Sequence, residues 1–185
     1  MYLGLQCVYL LFLLRGHMNI FVINNNPVTA AQHLCDQHVN KMVLESAQMV
    51  ANCFTPETLE SAPRTKKGTP RKHSYYKHPC SIWVRDSRAN LLWLLVHSLA
   101  MEEERIARGF NPHFSVEFLE WALDNVERSV CPEGGLTEFA IAISDDMECR
   151  KVDGFDQLDR VSQYQLYYKH DKPFATWKRN KPAWI

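Results

Sequence analysis

The sequence predicts a mostly α fold, a single-domain helical bundle. Three observations carry that prediction. Apolar residues recur at steps of three and four through two long stretches, the period of one helix face. Helix punctuation brackets those stretches: Asn26-Pro27 opens the first, and Gly109 with Pro112 closes the second. Strand-like composition is confined to Met18 through Ile23, which predicts at most one short N-terminal strand.

Taken in order, residues 1–17 read as an N-terminal extension outside the fold. Tyr2 to Leu14 is mainly apolar, but thirteen residues are too few to span a bilayer. The stretch lacks the basic start and small-residue cleavage site of a secretory signal, and an upstream start codon or a loosely ordered extension accounts for it. The domain is expected over residues 18–185, starting at Met18. Asn26 as N-cap and Pro27 in the first turn start a helix expected to run to Phe54, with Ala31, Cys35, Val39, Met42, Val43, Met49 and Val50 on its apolar face. Pro56 ends it, and Thr55 to Pro79 reads as a long polar connection, of the kind that is functional or disordered in compact domains. A second helix is expected from Ser81 to Arg108, with Trp83, Leu91, Leu92, Leu94, Leu95, Leu99 and Ile106 making it the central core helix. A third follows from Ser115 to Val126, then a loop at Cys131-Pro132-Glu133-Gly134-Gly135. Short helices are expected over Leu136–Ile143 and Phe155–Tyr168.

The formal net charge is zero, so the molecule as a whole is not driven toward a polyanion. The distribution is uneven. Between Arg64 and His78 stand Arg64, Lys66, Lys67, Arg71, Lys72 and Lys77 with no acid, and the last seventeen residues carry Lys169, Lys172, Lys178, Arg179 and Lys181 against Asp171 alone. Solvated loops explain such runs as readily as a nucleic-acid partner does. The six cysteines lack the spacing of a disulfide framework and read as reduced thiols of a cytoplasmic protein.

Chemistry is concentrated on the first helix. His38, Lys41, Glu45, Gln48 and Asn52 follow one another at steps of three, four, three and four, and so line one stripe at the edge of the apolar face. An imidazole, an amine and a carboxylate on adjacent turns suit proton transfer or amine nucleophilic catalysis, making His38, Lys41 and Glu45 the catalytic candidates. A solvated edge with an ordinary Lys41–Glu45 pair is the bland alternative. Cys35, His38, His78 and Cys80 could supply four zinc ligands, although the one-residue spacer between His78 and Cys80 argues for unrelated thiols and imidazoles. No metal and no cofactor are expected. Aromatic residues interleave with bases at Tyr75-Tyr76-Lys77-His78, at Tyr167-Tyr168-Lys169 and at Trp177-Lys178-Arg179, a pattern suited to stacking on unpaired bases while gripping phosphates. With Gln48, Arg71, Lys72 and Arg85 these form the candidate nucleic-acid-binding set, although packing explains most such rings. A nucleic acid is the partner these residues lead one to expect, and no membrane.

Several of these features together resemble the phage endonuclease V-type pyrimidine dimer DNA glycosylases. The first long helix in that family carries Asp-Gln-His and, seven residues after the His, the catalytic Glu; here Asp36-Gln37-His38 is followed seven residues on by Glu45. The second long helix closes there with Arg-Gly-Phe-Asn, as here at Arg108-Gly109-Phe110-Asn111, and Tyr167-Tyr168 is similar to a C-terminal aromatic segment. The layout also looks like a group of uncharacterised phage-encoded proteins that begin near Met18. The resemblance implies a single-domain, all-helical base-excision enzyme with Glu45 catalytic. The family's nucleophile is the α-amine of a Thr exposed by removal of the initiator Met; here Asn19 follows Met18, and Leu44 and Gln48 replace the basic residues that flank the family's Glu. Lys41 is then a candidate amine. The expected function is a DNA glycosylase/AP lyase acting on a damaged or modified base. A non-catalytic nucleic-acid-binding or host-interaction protein on the same scaffold is the alternative.

Overall fold

The computed structural model describes residues 18–185, so the expectation for the N-terminal extension lies outside the described residues. Among the described residues seven α-helices make the fold: α1 (Pro27–His33), α2 (Asp36–Ala51), α3 (Pro56–Leu59), α4 (Pro79–Asp86), α5 (Arg88–Ala107), α6 (Val116–Asp124) and α7 (Arg160–Asp171), with 3-10 turns at Val126–Arg128, Glu148–Lys151 and Phe155–Gln157. No strand occurs among the described residues. The mostly α class is therefore observed. α5 is the central helix, packed against α1, α2, α4 and α6, while α2 also meets α4 and α6. Leu91, Leu94, Leu95 and Met101 of α5 are buried in a continuous core with Val39, Met42, Val43 and Val50 of α2.

Both long helices expected from the sequence are divided. Asn26 caps α1 by accepting from the amides of Val28 and Thr29, as its position before Pro27 predicts. The helix then stops, because Leu34 is extended (φ −60°, ψ 143°). No glycine or proline marks the break. Its stabiliser is distant: the buried Arg108 guanidinium donates to the carbonyls of Gln32 and Leu34, both at 2.8 Å, and satisfies groups that the ended helix leaves without partners. The second division falls at Ser87, extended at φ −153°, ψ 159°, whose hydroxyl caps α5 by accepting from Asn90 N–H at 3.1 Å. Gly109 then ends α5 in the left-handed region (φ 79°), the conformation only glycine adopts without steric cost.

Met18 to Ile23 is buried and forms no strand. Its amide hydrogens are taken by side chains that displace a ladder: Asn19 Oδ1 accepts from the amides of Ile20 (2.8 Å) and Phe21 (3.0 Å). Phe21, at φ 51°, further interrupts any strand. The helix expected over Leu136–Ile143 is also absent. That stretch runs irregularly, with Thr137 N–H on Asn90 Oδ1 (2.9 Å) and Ala142 N–H on Tyr164 Oη (2.9 Å), so tertiary partners replace helical hydrogen bonds. The last expected helix starts later, at Arg160, where Asp159 accepts from Ser162 N–H at 3.0 Å. Cys35, Cys53, Cys80, Cys131 and Cys149 are buried free thiols. Among the described residues no helix is long and apolar enough to cross a membrane.

Candidate active site and nucleic-acid face

The polar stripe on α2 is only partly a wetted face. Glu45 is 6% exposed. One carboxylate oxygen sits 2.9 Å from Lys41 Nζ and the other accepts the amide hydrogen of Asn19 at 3.2 Å. Lys41, a turn earlier, remains about half exposed, so the pair spans the boundary between core and solvent. The same carboxylate helps to hold the neighbouring Cys80 thiol protonated: burial, and then Glu45, push its pKa up to about 12.

His38 lies deeper. Its ring stacks on Phe21 (centroids 4.0 Å apart, planes 16°) and its Nδ1 is 2.5 Å from Tyr168 Oη. Burial pulls the imidazole well below the usual histidine range, and the cationic Lys172 and Lys41 pull it further the same way. A neutral, buried ring with these partners positions other groups and does not present itself to a phosphate. The segment carrying Asn19 and Phe21 thus runs along the stripe, touching Glu45 at one end and His38 at the other. Sequence reasoning did not find this lining segment, although the Asn19 amide group could have signalled a polar contact inside so apolar a run.

The two motifs that carried the family resemblance meet in space. Arg108 Nη1 is 2.9 Å from Asp36 Oδ1 and its Nε is 2.9 Å from Glu104 Oε1, all three residues being largely buried. The C-terminal segment closes over this junction. Asp36 N–H donates to Thr176 O at 2.8 Å, Gln37 Nε2 to Thr176 Oγ1 at 3.0 Å, and the Trp177 indole to His33 O at 2.8 Å. Lys178 Nζ donates to Arg108 O and Arg179 reaches Glu104 at 3.5 Å. Tyr168 is buried, while Lys169 faces solvent. Trp177, Lys178 and Arg179 are therefore engaged in pinning the tail.

The other basic segment forms a face. A cleft of about 620 Å³ runs beside the stripe, between Leu44, Ala47 and Gln48 of α2 and the 65–74 loop, with Lys66, Lys67 and Lys72 at its rim and Phe114 across from them. Asn52, the last residue of the stripe, ties this loop to α2 through both ends of its amide, donating to Ser74 O (2.9 Å) and accepting from Ser74 N–H (3.1 Å). Arg71 is turned inward, its guanidinium 4.1 Å over the Phe118 ring and donating to Pro63 O. Tyr75, Tyr76 and Lys77 stand exposed beyond the cleft, and Arg85 stacks on the Tyr76 ring at 3.3 Å. His78 Nδ1 accepts from Cys80 N–H, capping α4. No group of three potential metal ligands occurs among the described residues.

A buried carboxylate paired with a half-exposed amine, set on a helical scaffold beside a basic, aromatic-bearing cleft, defines a nucleic-acid-processing class of protein. The chain belongs to the pyrimidine dimer DNA glycosylases: the model of that family matches residues 18–118, more than half of the sequence. It is accordingly an enzyme of the DNA N-glycosylase type, with DNA as its substrate. The matched span opens at Met18 and takes in Asp36, Glu45 and Arg108. Neither the curated proteins nor the solved structures contain a match.

Proposed function

We propose that this enzyme extrudes a damaged or modified pyrimidine from duplex DNA, cleaves its glycosidic bond at Glu45, and opens the resulting abasic site as a lyase. One observation carries the proposal: the Glu45 carboxylate, buried between an ammonium and an amide, lies at the edge of a solvent-open stripe. Glycosidic cleavage builds positive charge on the sugar. A fixed carboxylate shielded from water stabilises such charge more strongly than a hydrated one, because no solvent must reorganise around it. Lys41 pairs with the carboxylate in the free enzyme and gives way to the sugar on binding. The nitrogen of Asn19, 3.2 Å from Glu45, supports the same assignment. In the family the catalytic Glu serves an amine on the residue that follows the initiator Met; Asn19, which follows Met18 here, brings a peptide amide to Glu45 instead.

The cleft beside Gln48 receives the DNA backbone and the distorted strand. Lys66, Lys67, Lys72 and Lys77 neutralise phosphates, and exposed Tyr75 and Tyr76 stack on bases unpaired by the lesion. His38 acts through Tyr168 and Phe21 by fixing the wall of the site. We place the enzyme in a cytoplasm and read it as phage-encoded, on the similarity to phage proteins that begin near Met18.

Glu45→Gln tests this reading. Single-turnover base release from a duplex with one pyrimidine dimer is expected to fall by about 100- to 1,000-fold while binding to the same duplex persists. Full activity of Glu45→Gln on every duplex the wild type cleaves would remove the carboxylate from the mechanism.

A further inference from the structure

Two thiols from distant parts of the chain meet just past the end of α2. Cys53 follows that helix closely, and Cys131 lies in the irregular segment after the Val126–Arg128 turn. Backbone and side chains both join them. Val130 N–H donates to Cys53 O at 2.8 Å, so the two stretches run against each other. Cys131 Sγ is 3.7 Å and Cys53 Sγ 3.8 Å from one oxygen, the carbonyl of Val84. Val84 stands in the last turn of α4, where a helix leaves its carbonyls without intrahelical donors. The two thiols also hydrogen-bond each other. The other described thiols have different partners: Cys35 meets Tyr168, Cys80 the Ile20 backbone and Cys149 Asp171.

The members of the pair are not equivalent. Cys53 is fully buried, and burial first, then Cys131, push its thiol well above the usual range. Cys131 sits among donors. Ser129 Oγ, Arg85 Nη1 and Arg88 Nε are buried atoms with no hydrogen-bond partner among the described residues, although Arg88 Nη1 holds Glu127 and Glu133. The Cys53 thiol first, then Ser129, Arg85 and Arg88, lower the Cys131 pKa against its burial. Cys131 is therefore the member that ionises, and the thiolate is the form that attacks an electrophile. Its chain neighbours Val130 and Pro132 to Leu136 are exposed, so a small oxidant needs only a displacement of this surface segment to reach the sulfur.

We propose that Cys53 and Cys131 form a redox modification site that closes to an intramolecular disulfide when the protein meets hydrogen peroxide. The Cys131 thiolate attacks one peroxide oxygen and the O–O bond breaks. Hydroxide leaves and takes up the proton that Cys131 released, giving water and a sulfenic acid on Cys131. Cys53, already in contact, resolves it: its sulfur attacks the Cys131 sulfur, the S–O bond breaks, and the departing hydroxide takes the Cys53 proton as a second water. Each sulfur has lost one electron overall, and the peroxide has been reduced to two waters. The bond would form at the anchor of the cleft loop. Asn52 holds Ser74 through both ends of its amide, and Phe54 O accepts from His73 Nε2 at 2.8 Å. Closure ties that anchor covalently to the segment after α6. No step depends on Glu45 or on the glycosylase reading.

The test maps the bond in the folded, full-length protein. Fully reduced protein, freed of reductant, is treated with a small excess of hydrogen peroxide. Remaining thiols are then alkylated under denaturing conditions, and the protein is digested without reductant for mass spectrometry. The expected product is a peptide pair joined through Cys53 and Cys131, lighter by two hydrogens than the reduced peptides and separated again by dithiothreitol. Alkylation should be lost at these two positions and kept at Cys35, Cys80 and Cys149. Cys53→Ala should stop at the sulfenic acid on Cys131, captured by dimedone, and Cys131→Ala should lose both the bond and the dimedone adduct. Circular-dichroism melting checks that each variant is folded, and the wild-type map decides the matter even where one is not. Full alkylation of Cys53 and Cys131 after peroxide overturns the proposal. So does a disulfide joining either of them to another cysteine or to a second molecule, or earlier oxidation of a different thiol.

Discussion

His97 illustrates how single buried groups set this protein's response to acid. It is fully buried on α5, its Nδ1 2.9 Å from Pro27 O, and burial lowers its pKa to about 4 from the 6.5 of a free histidine. As pH falls, the unfolded chain therefore takes up a proton before the folded one does. The stability conferred by the neutral ring is complete above about pH 6.5 and is lost progressively down to about pH 4. His38, depressed in the same direction by burial and two lysines, adds to the same loss. The melting temperature is expected to drop over that window, and His97→Gln should flatten the slope even if it lowers stability at neutral pH. A slope unchanged in His97→Gln would assign the acid sensitivity elsewhere. Arg108 makes a second case. It is 4% exposed and serves Asp36, Glu104 and two helix-ending carbonyls at once. Arg108→Ala removes the buried cation shared by both carboxylates and is expected to cost about 3–5 kcal/mol in urea unfolding.

At the scale of elements, the divided helices show where local signals end and tertiary ones begin. The Pro27 start, the Asn26 cap and the Gly109 stop were all legible, because each acts on its own neighbours in the chain. The break at Leu34 was not. It depends on a guanidinium more than seventy residues away, and nothing near Leu34 announces it. Ser87 was a readable cap that helical periodicity on both sides concealed. Residues 136–143 have helix-compatible composition, yet Asn90 and Tyr164 claim their amides. In the site, spacing alone identified Lys41 and Glu45 as neighbours, since steps of four on a helix need no tertiary knowledge. The same spacing placed His38 on the stripe without revealing its depth, which Phe21 and Tyr168 determine. The ring packing around His38 and Lys172 was out of reach for the same reason: it is assembled from three separate stretches of chain.

For the molecule as a whole, zero net charge conceals a polarised surface. Exposed Lys66, Lys67, Lys72 and Lys77 gather on the cleft side, whereas Arg71, Arg105 and Arg108 are buried in structural pairs and contacts. Counting basic residues along the sequence cannot make that division, because it turns on which guanidinium finds an internal partner. Affinity for undamaged duplex DNA is expected to fall with salt. Replacing Lys66, Lys67 and Lys72 together by Ala should reduce the slope of log K against log salt by about 2 to 3, read by fluorescence anisotropy across a salt series. An unchanged slope would move the phosphate contacts to another face.

The Asn52–Ser74 clasp bears on how that face meets DNA. By fastening the loop at a point well inside it, one amide side chain divides a long connection into shorter spans and settles their conformation in the free protein. The lysines at the cleft rim are thereby preorganised. Encounter with a phosphate backbone need not order the loop first, so most of the electrostatic attraction is available for holding the strand while a lesion is sought.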